Sequence, residues 1–258
     1  MDQNVNASDG SNANRGPHIN CWPLVFASVV AGVIGGLIVD RVGNIGSMSE
    51  EFVDLPFGPS PEQLPRYKAE FSSMYSNNYA THLSIVGAML GLTIGLVGAV
   101  RNRVASLFAA FVCGALAGGL GGYLLGKGTA YCVMETNGRA FNLYGVSVDP
   151  FVQVTALQCF AWAMICFGIG VGWMIAIWGF GRIKNAAEAG VICGLVSGVG
   201  CTVVAAIMFS NSNGFNIVPE SQIERLVWGG VGGLGVGLGL TFAIMKIAKR
   251  SAKEAQAE

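Results

Sequence analysis

Ionisable side chains are scarce in this sequence, and that scarcity bounds what the chain can be. Only 12% of its residues are charged, with 15 Lys+Arg against 15 Asp+Glu. A soluble domain carries roughly twice that fraction. The zero formal net charge gives no basic surplus for nucleic acid and no acidic surplus for a basic partner. Histidine occurs twice, as His18 and His82. That excludes a bis-histidine haem inside a bundle and an HExxH zinc helix. No histidine follows Ser197 to act as its base, so a serine-nucleophile reading fails. No GxxxxGK[ST] loop is present, and the glycine strings that imitate GxGxxG follow no strand. Asn-Pro-Ala water-channel signatures are absent too. The seven cysteines form no CxxC pair, so neither a zinc nor a redox site is indicated. Most lie in apolar runs and read as small buried hydrophobes, whereas Cys132 falls in a stretch that reads as a polar loop. The expectation is a non-enzymatic chain with no cofactor, no metal and no nucleic-acid partner.

What is abundant is apolar length. Hydrophobic residues make up 52% of the chain, and six runs are long enough to cross about 30 Å of hydrocarbon. They cover residues 22–39, 83–100, 105–126, 152–180, 189–209 and 226–247. No acidic or basic side chain lies deep in any of them; Lys246, near one end, can snorkel. The fourth run exceeds one straight crossing and is expected to tilt, or to enter the interface around Gln153 and Gln158. The first run is read as a retained span and not a cleaved signal, since it is preceded by the single base Arg15 and shares the small-residue spacing of later runs.

Charge placement gives an orientation. The tails and short turns, residues 1–20, 101–104, 181–188 and the C-terminal segment to 258, hold Arg15, Arg101, Arg103, Arg182, Lys184, Lys246, Lys249, Arg250 and Lys253 against five acids. The three intervening loops hold Arg41, Arg66, Lys68, Lys127, Arg139 and Arg225 against ten acids. By the positive-inside rule both termini are cytoplasmic, with a bacterial inner membrane as the default. Trp22, Trp178 and Trp228 are expected at headgroup depth; Trp173 is not.

Glycine is the second abundance, at 38 residues. It recurs every fourth position: Gly87, Gly91, Gly95; Gly114, Gly118, Gly122, Gly126; Gly190, Gly194, Gly198; Gly229, Gly233, Gly237. Shorter series are Ser28, Gly32, Gly36 and Gly168, Gly172, Ala176. Such spacing lines one helix face with a groove that lets backbones approach, which is how helices associate where no hydrophobic drive operates. The last run, with seven glycines between 229 and 239, reads as a helix surrounded by protein, or alternatively as one lining a path. At offsets of 81 and 80, Gly87 aligns with Gly168, Gly91 with Gly172, Gly98 with Gly179, Gly114 with Gly194 and Gly118 with Gly198. Three helix-pair units, 21–103, 104–184 and 185–250, are the resulting expectation.

The loop 40–81 carries the remaining content. Ser60-Pro61-Glu62-Gln63 reads as a helix start. Beyond it Tyr67, Phe71, Tyr75 and Tyr79 form one aromatic stripe, read as an interfacial anchor running into the second span, with a binding platform as the alternative. Ser84, Thr93, Gln158, Ser197, Thr202 and Thr241 are read as interhelical hydrogen-bond partners. The fold expected is an all-α polytopic bundle of about six glycine-zipper helices, with a disordered tail at 1–20 and a second tail at 251–258. The function expected is structural or scaffolding, self-associating or within a membrane complex. The alternative is a passive channel or carrier for a small neutral solute or lipid.

Overall fold

The computed structural model describes residues 21–53, 59–99, 104–136, 141–143, 146–178, 183–209 and 218–257. The tail at 1–20, the turn bases Arg101, Arg103 and Arg182, and Gly179 lie outside these. Seven helices account for almost all of the described chain: α1 (Trp22–Val42), α2 (Glu50–Val53), α3 (Leu64–Ala99), α4 (Val104–Thr136), α5 (Pro150–Trp178), α6 (Ile183–Met208) and α7 (Gln222–Ala257). All except α2 are long and apolar enough to cross a membrane. A small antiparallel hairpin, β1 (Phe141–Leu143) with β2 (Val146–Val148), lies between α4 and α5 and pairs Phe141 with Val148. The chain is therefore a polytopic helix bundle with one short hairpin that hydropathy alone does not announce.

Local chemistry fixes the helix ends. Pro23 occupies the first turn of α1, where its missing N–H costs nothing. Gly43 ends that helix with φ 66°, a conformation a side chain resists, while its N–H bonds the Val39 carbonyl at 3.0 Å. Ser60 and Gln63 exchange side-chain-to-backbone bonds at 3.1 and 3.3 Å ahead of α3. Asp149 accepts from the Phe151 N–H at 2.7 Å, with Pro150 opening α5. Ser221 accepts from the Glu224 N–H at 3.3 Å at the start of α7.

The helices form a ring of neighbours, α1–α3–α4–α5–α6–α7 and back to α1. The most extensive contacts are α3 with α4, α5 with α6, and α7 with α1. The first two pairs are consecutive in the chain; the third joins its first and last helices. Within the ring α5 is the most buried, at 56% of its apolar window against 50% for α7 and 28% for α4. Trp162, Ile165, Cys166, Ile169 and Met174 on α5 are fully buried. The glycine-rich last helix is thus not the most enclosed: Leu234, Leu238, Phe242 and Met245 remain exposed along one side of it.

Three helices outrun their apolar cores. At 1.5 Å per residue, the 36 residues of α3 and of α7 and the 33 of α4 span about 54, 54 and 50 Å, against roughly 30 Å of hydrocarbon. The surplus of α3 is its polar first half, so the aromatic stripe and the second span belong to one continuous helix. Packing of Ser76 against Gly126 holds that half alongside α4. Cys132, read from sequence as a loop residue, lies within α4 because the helix continues to Thr136.

Candidate functional site

Two parts of the molecule concentrate specific contacts: the seams between helices, and the end of the bundle where α1 finishes and α3 and α7 begin.

The seams are built from backbone. A Cβ placed on Gly87 would overlap the Gly114 carbonyl oxygen, and one on Gly114 would overlap that of Gly87. Along the same α3–α4 seam Gly91 meets Ala110, Gly95 meets Leu107, Gly118 meets Leu83, Gly122 meets Tyr79 and Gly126 meets Ser76. On the α1–α7 seam Gly32 and Gly229 are reciprocal neighbours, Gly233 meets Ser28 and Gly237 meets Val25. On the α5–α6 seam Gly190 meets Ala163 and Phe167, while Gly194 and Gly198 meet Cys159. Close approach of this kind gains dispersion and weak Cα–H···O contacts, which a side chain would prevent.

The glycines aligned at offset 81 behave differently. Gly87 and Gly91 face α4, the helix that follows them, but Gly168 and Gly172 face Cys113 and Ala109 on α4, the helix that precedes them. Gly114, Gly118, Gly194 and Gly198 all face the preceding helix. Equivalent sequence positions therefore serve different interfaces on α3 and α5.

The interior of α5, α6 and α7 closes around two indoles. The Trp162 ring fills the notch at Gly232 and lies 4.9 Å from the Trp228 ring. Trp228, expected at headgroup depth, is buried and donates its indole N–H to Gln158 Oε1 at 3.1 Å. Gln158, expected as an interhelical hydrogen-bond partner, is buried and makes this bond between α5 and α7. The pair satisfies two polar groups that would each be costly alone in this environment. Ser197 donates to the Gly232 carbonyl at 3.1 Å, and Ser84 to that of Ala115 at 3.1 Å. Thr93 and Thr202 instead bond their own helices, at Met89 and Gly198. The Thr241 hydroxyl is buried with no hydrogen-bond partner among the described residues. Cys166, Cys193 and Cys201 are buried free thiols that lean on the carbonyls of Ala189, Trp162 and Trp228.

At the loop end the contacts are polar and long-range. Arg225 on α7 is paired with Asp40 on α1 at 3.0 Å and donates from Nε to the Pro219 carbonyl at 2.7 Å. Asn78 on α3 accepts from the N–H groups of Ile45 and Gly46, at 2.9 and 2.7 Å, and donates to the Gly46 carbonyl at 3.1 Å. His82 Nε2 lies 2.8 Å from the Gly43 carbonyl. A carbonyl only accepts, so Nε2 carries the proton. Ser49 bonds Glu70 through its hydroxyl and N–H, and Arg66 joins Glu51 and Glu70 at 3.0 and 3.1 Å.

The aromatic stripe runs beside this strap. Tyr67 to Phe71, Phe71 to Tyr75 and Tyr75 to Tyr79 have ring centroids 5.9, 4.8 and 5.6 Å apart. Phe52 from α2 adds a fifth ring, edge-on to Tyr67 at 5.6 Å with Arg66 above it. The stripe passes from half-buried at Tyr67 to core at Tyr79. It therefore serves partly as the seat for α2, a contact sequence periodicity does not reveal. Sequence reasoning also missed Trp162, the Asp40–Arg225 pair and the Asn78 clamp. Polar residues flanking an apolar run (Asp40 and Arg225 both abut one) are the only signal that could have drawn attention there.

Chemically this end binds its own backbone. Among the described residues no three His, Cys, Asp or Glu side chains converge as a metal site would require. Compared with known proteins, the chain matches no family model, and no curated protein or solved structure matches it.

Proposed function

We propose that the chain is a structural, non-enzymatic multi-pass membrane protein whose bundle scaffolds a membrane assembly, by self-association or within a larger complex. The observation that carries this reading is how the last helix is packed. Gly229, Gly233 and Gly237 face α1, Gly232 holds the Trp162 ring, and Gly235 and Gly239 face Ser197 and Ala189 on α6. A helix whose glycines are all occupied by neighbours supports a packing role over lining a path. The strap of loop 43–53 on α3 adds a rigid, acidic and aromatic cap that suits a fixed scaffold. In this reading both termini are cytoplasmic, the cap faces outward, and the bilayer is a bacterial inner membrane.

Two measurements on the purified chain in nanodiscs and liposomes test the proposal together. Cross-linking with mass analysis is expected to give a defined oligomer or a stable complex, and solute-loaded liposomes are expected to show no selective leakage. A strictly monomeric chain that passes a neutral solute selectively would replace the scaffold with a channel or carrier. Gly235→Leu is a poor probe of conduction, because a side chain there would overlap Ser197 and disturb packing first.

A further inference from the structure

The start of α6 and the later part of α7 border a shallow, open groove of about 460 Å³ lined by Lys184, Ala187, Glu188, Val191, Ile192, Phe242 and Lys246. Its chemistry is graded along the helices. Lys184 is the second residue of α6, and Lys246 lies 24 residues beyond the start of α7, so both cations stand at the same end. Val191, Ile192 and Phe242 lie deeper, and Val191 and Phe242 are exposed. Lys246 is paired with Glu188 at 2.5 Å, which neutralises the one acid among the described lining residues. Arg250 is exposed and follows Lys246 by four residues on α7, which puts both cations on one helix face. With Glu188 paired to Lys246, Lys184 and Arg250 leave the rim a positive surplus above an apolar floor.

We propose that this groove binds an anionic phospholipid, its phosphate held by Lys184, Arg250 and Lys246 and one acyl chain laid along Val191, Ile192 and Phe242. The complementarity is twofold. Cations near a membrane surface attract anionic headgroups, and the apolar floor continues in the direction a chain must follow into hydrocarbon. A second protein helix would satisfy the floor but leave the rim charges uncompensated, and a soluble phosphate would satisfy the rim but leave the floor exposed. The site depends only on the chain being embedded in a bilayer, and it holds whether the bundle scaffolds or conducts.

Native mass spectrometry of the full-length chain, titrated with phosphatidylglycerol or phosphatidylcholine in detergent, tests the assignment. One phosphatidylglycerol is expected to be retained in preference to phosphatidylcholine. Lys184→Gln with Arg250→Gln should weaken retention roughly 30-fold, about fivefold for each cation removed, with the Lys246–Glu188 pair intact. Glu188→Gln should strengthen retention, and it stands as an independent test if the double variant fails to fold. Arg41→Gln, an exposed base at the opposite end, should change nothing. Equal retention of both lipids, indifference to the double variant, or cross-linking of Val191→Cys to a second copy would each overturn the proposal.

Discussion

The pair between Asp40 and Arg225 joins residues 185 positions apart and closes the bundle between its first and last helices. Replacing Asp40 with Asn removes the charge while keeping an oxygen acceptor in place. The side chains are only 23% and 11% exposed, so Arg225 would be left as a nearly buried, uncompensated cation. Breaking a fully buried pair costs roughly 3–5 kcal/mol. Residual exposure of Asp40, and the bond from Arg225 to the Pro219 carbonyl, lower the expectation to about 2–3 kcal/mol. Arg225→Gln should cost a similar amount, because it strands the carboxylate and also abandons the Pro219 carbonyl. The double variant should be less damaging than the sum of the two by at least about 1.5 kcal/mol, since neither charge is then left alone. The buried thiols supply the assay: thermal unfolding followed by a thiol-reactive dye reports exposure of Cys166, Cys193 and Cys201. Single variants within about 0.5 kcal/mol of the parent, or strict additivity in the double variant, would refute a coupled ion pair at this end.

Other substitutions test the interior. Gly114→Val puts a branched side chain against the Gly87 carbonyl and the Ile169 side chain; overpacking of about 1–3 kcal/mol should lower the unfolding midpoint, whereas Leu116→Ala on the exposed side of the same helix should leave it nearly unchanged. Trp228→Phe removes the N–H donated to Gln158 Oε1 in the core and should cost about 1–3 kcal/mol, read as a lower unfolding midpoint. Ser197→Ala removes a single interhelical bond to Gly232 and should cost only about 0.6 kcal/mol, the usual value within membranes. In the folded protein Cys166, Cys193 and Cys201 should resist maleimide until the bundle unfolds, and labelling of all three at native temperature would contradict the packing of α5 against α6 and α7.

Much of this architecture is legible in the sequence because one signal dominates it. Crossing hydrocarbon demands a long apolar run, and six such runs stand out from a chain with few charges. Helix limits were less legible. Hydropathy falls away at the polar first half of α3, where the Ser60–Gln63 start and the aromatic stripe are the legible signals of a helix running into the second span; the far end of α4 carries no such signal. Cys132 reads as a loop residue for that reason, although α4 runs past it. Gln158 is legible as an interhelical hydrogen-bond partner, but which group it meets is not: Trp228 lies 70 positions away and reaches it only because α5 and α7 pack together. The offset of 81 shows the limit of periodicity, since Gly168 and Gly87 occupy comparable sequence positions and face different neighbours. Spacing reveals that a face is smooth; which helix lies against it depends on the ring order of the whole bundle.

The most direct test of the closed, packing-dominated interior is a density map of the chain in lipid nanodiscs, read beside α7. The account predicts the Trp162 ring in the Gly232 notch, α7 pressed on α1, α5 and α6 through its glycines, and no water-filled path along the helix. A continuous aqueous cavity running past Gly232, Gly235 and Gly239 would contradict it.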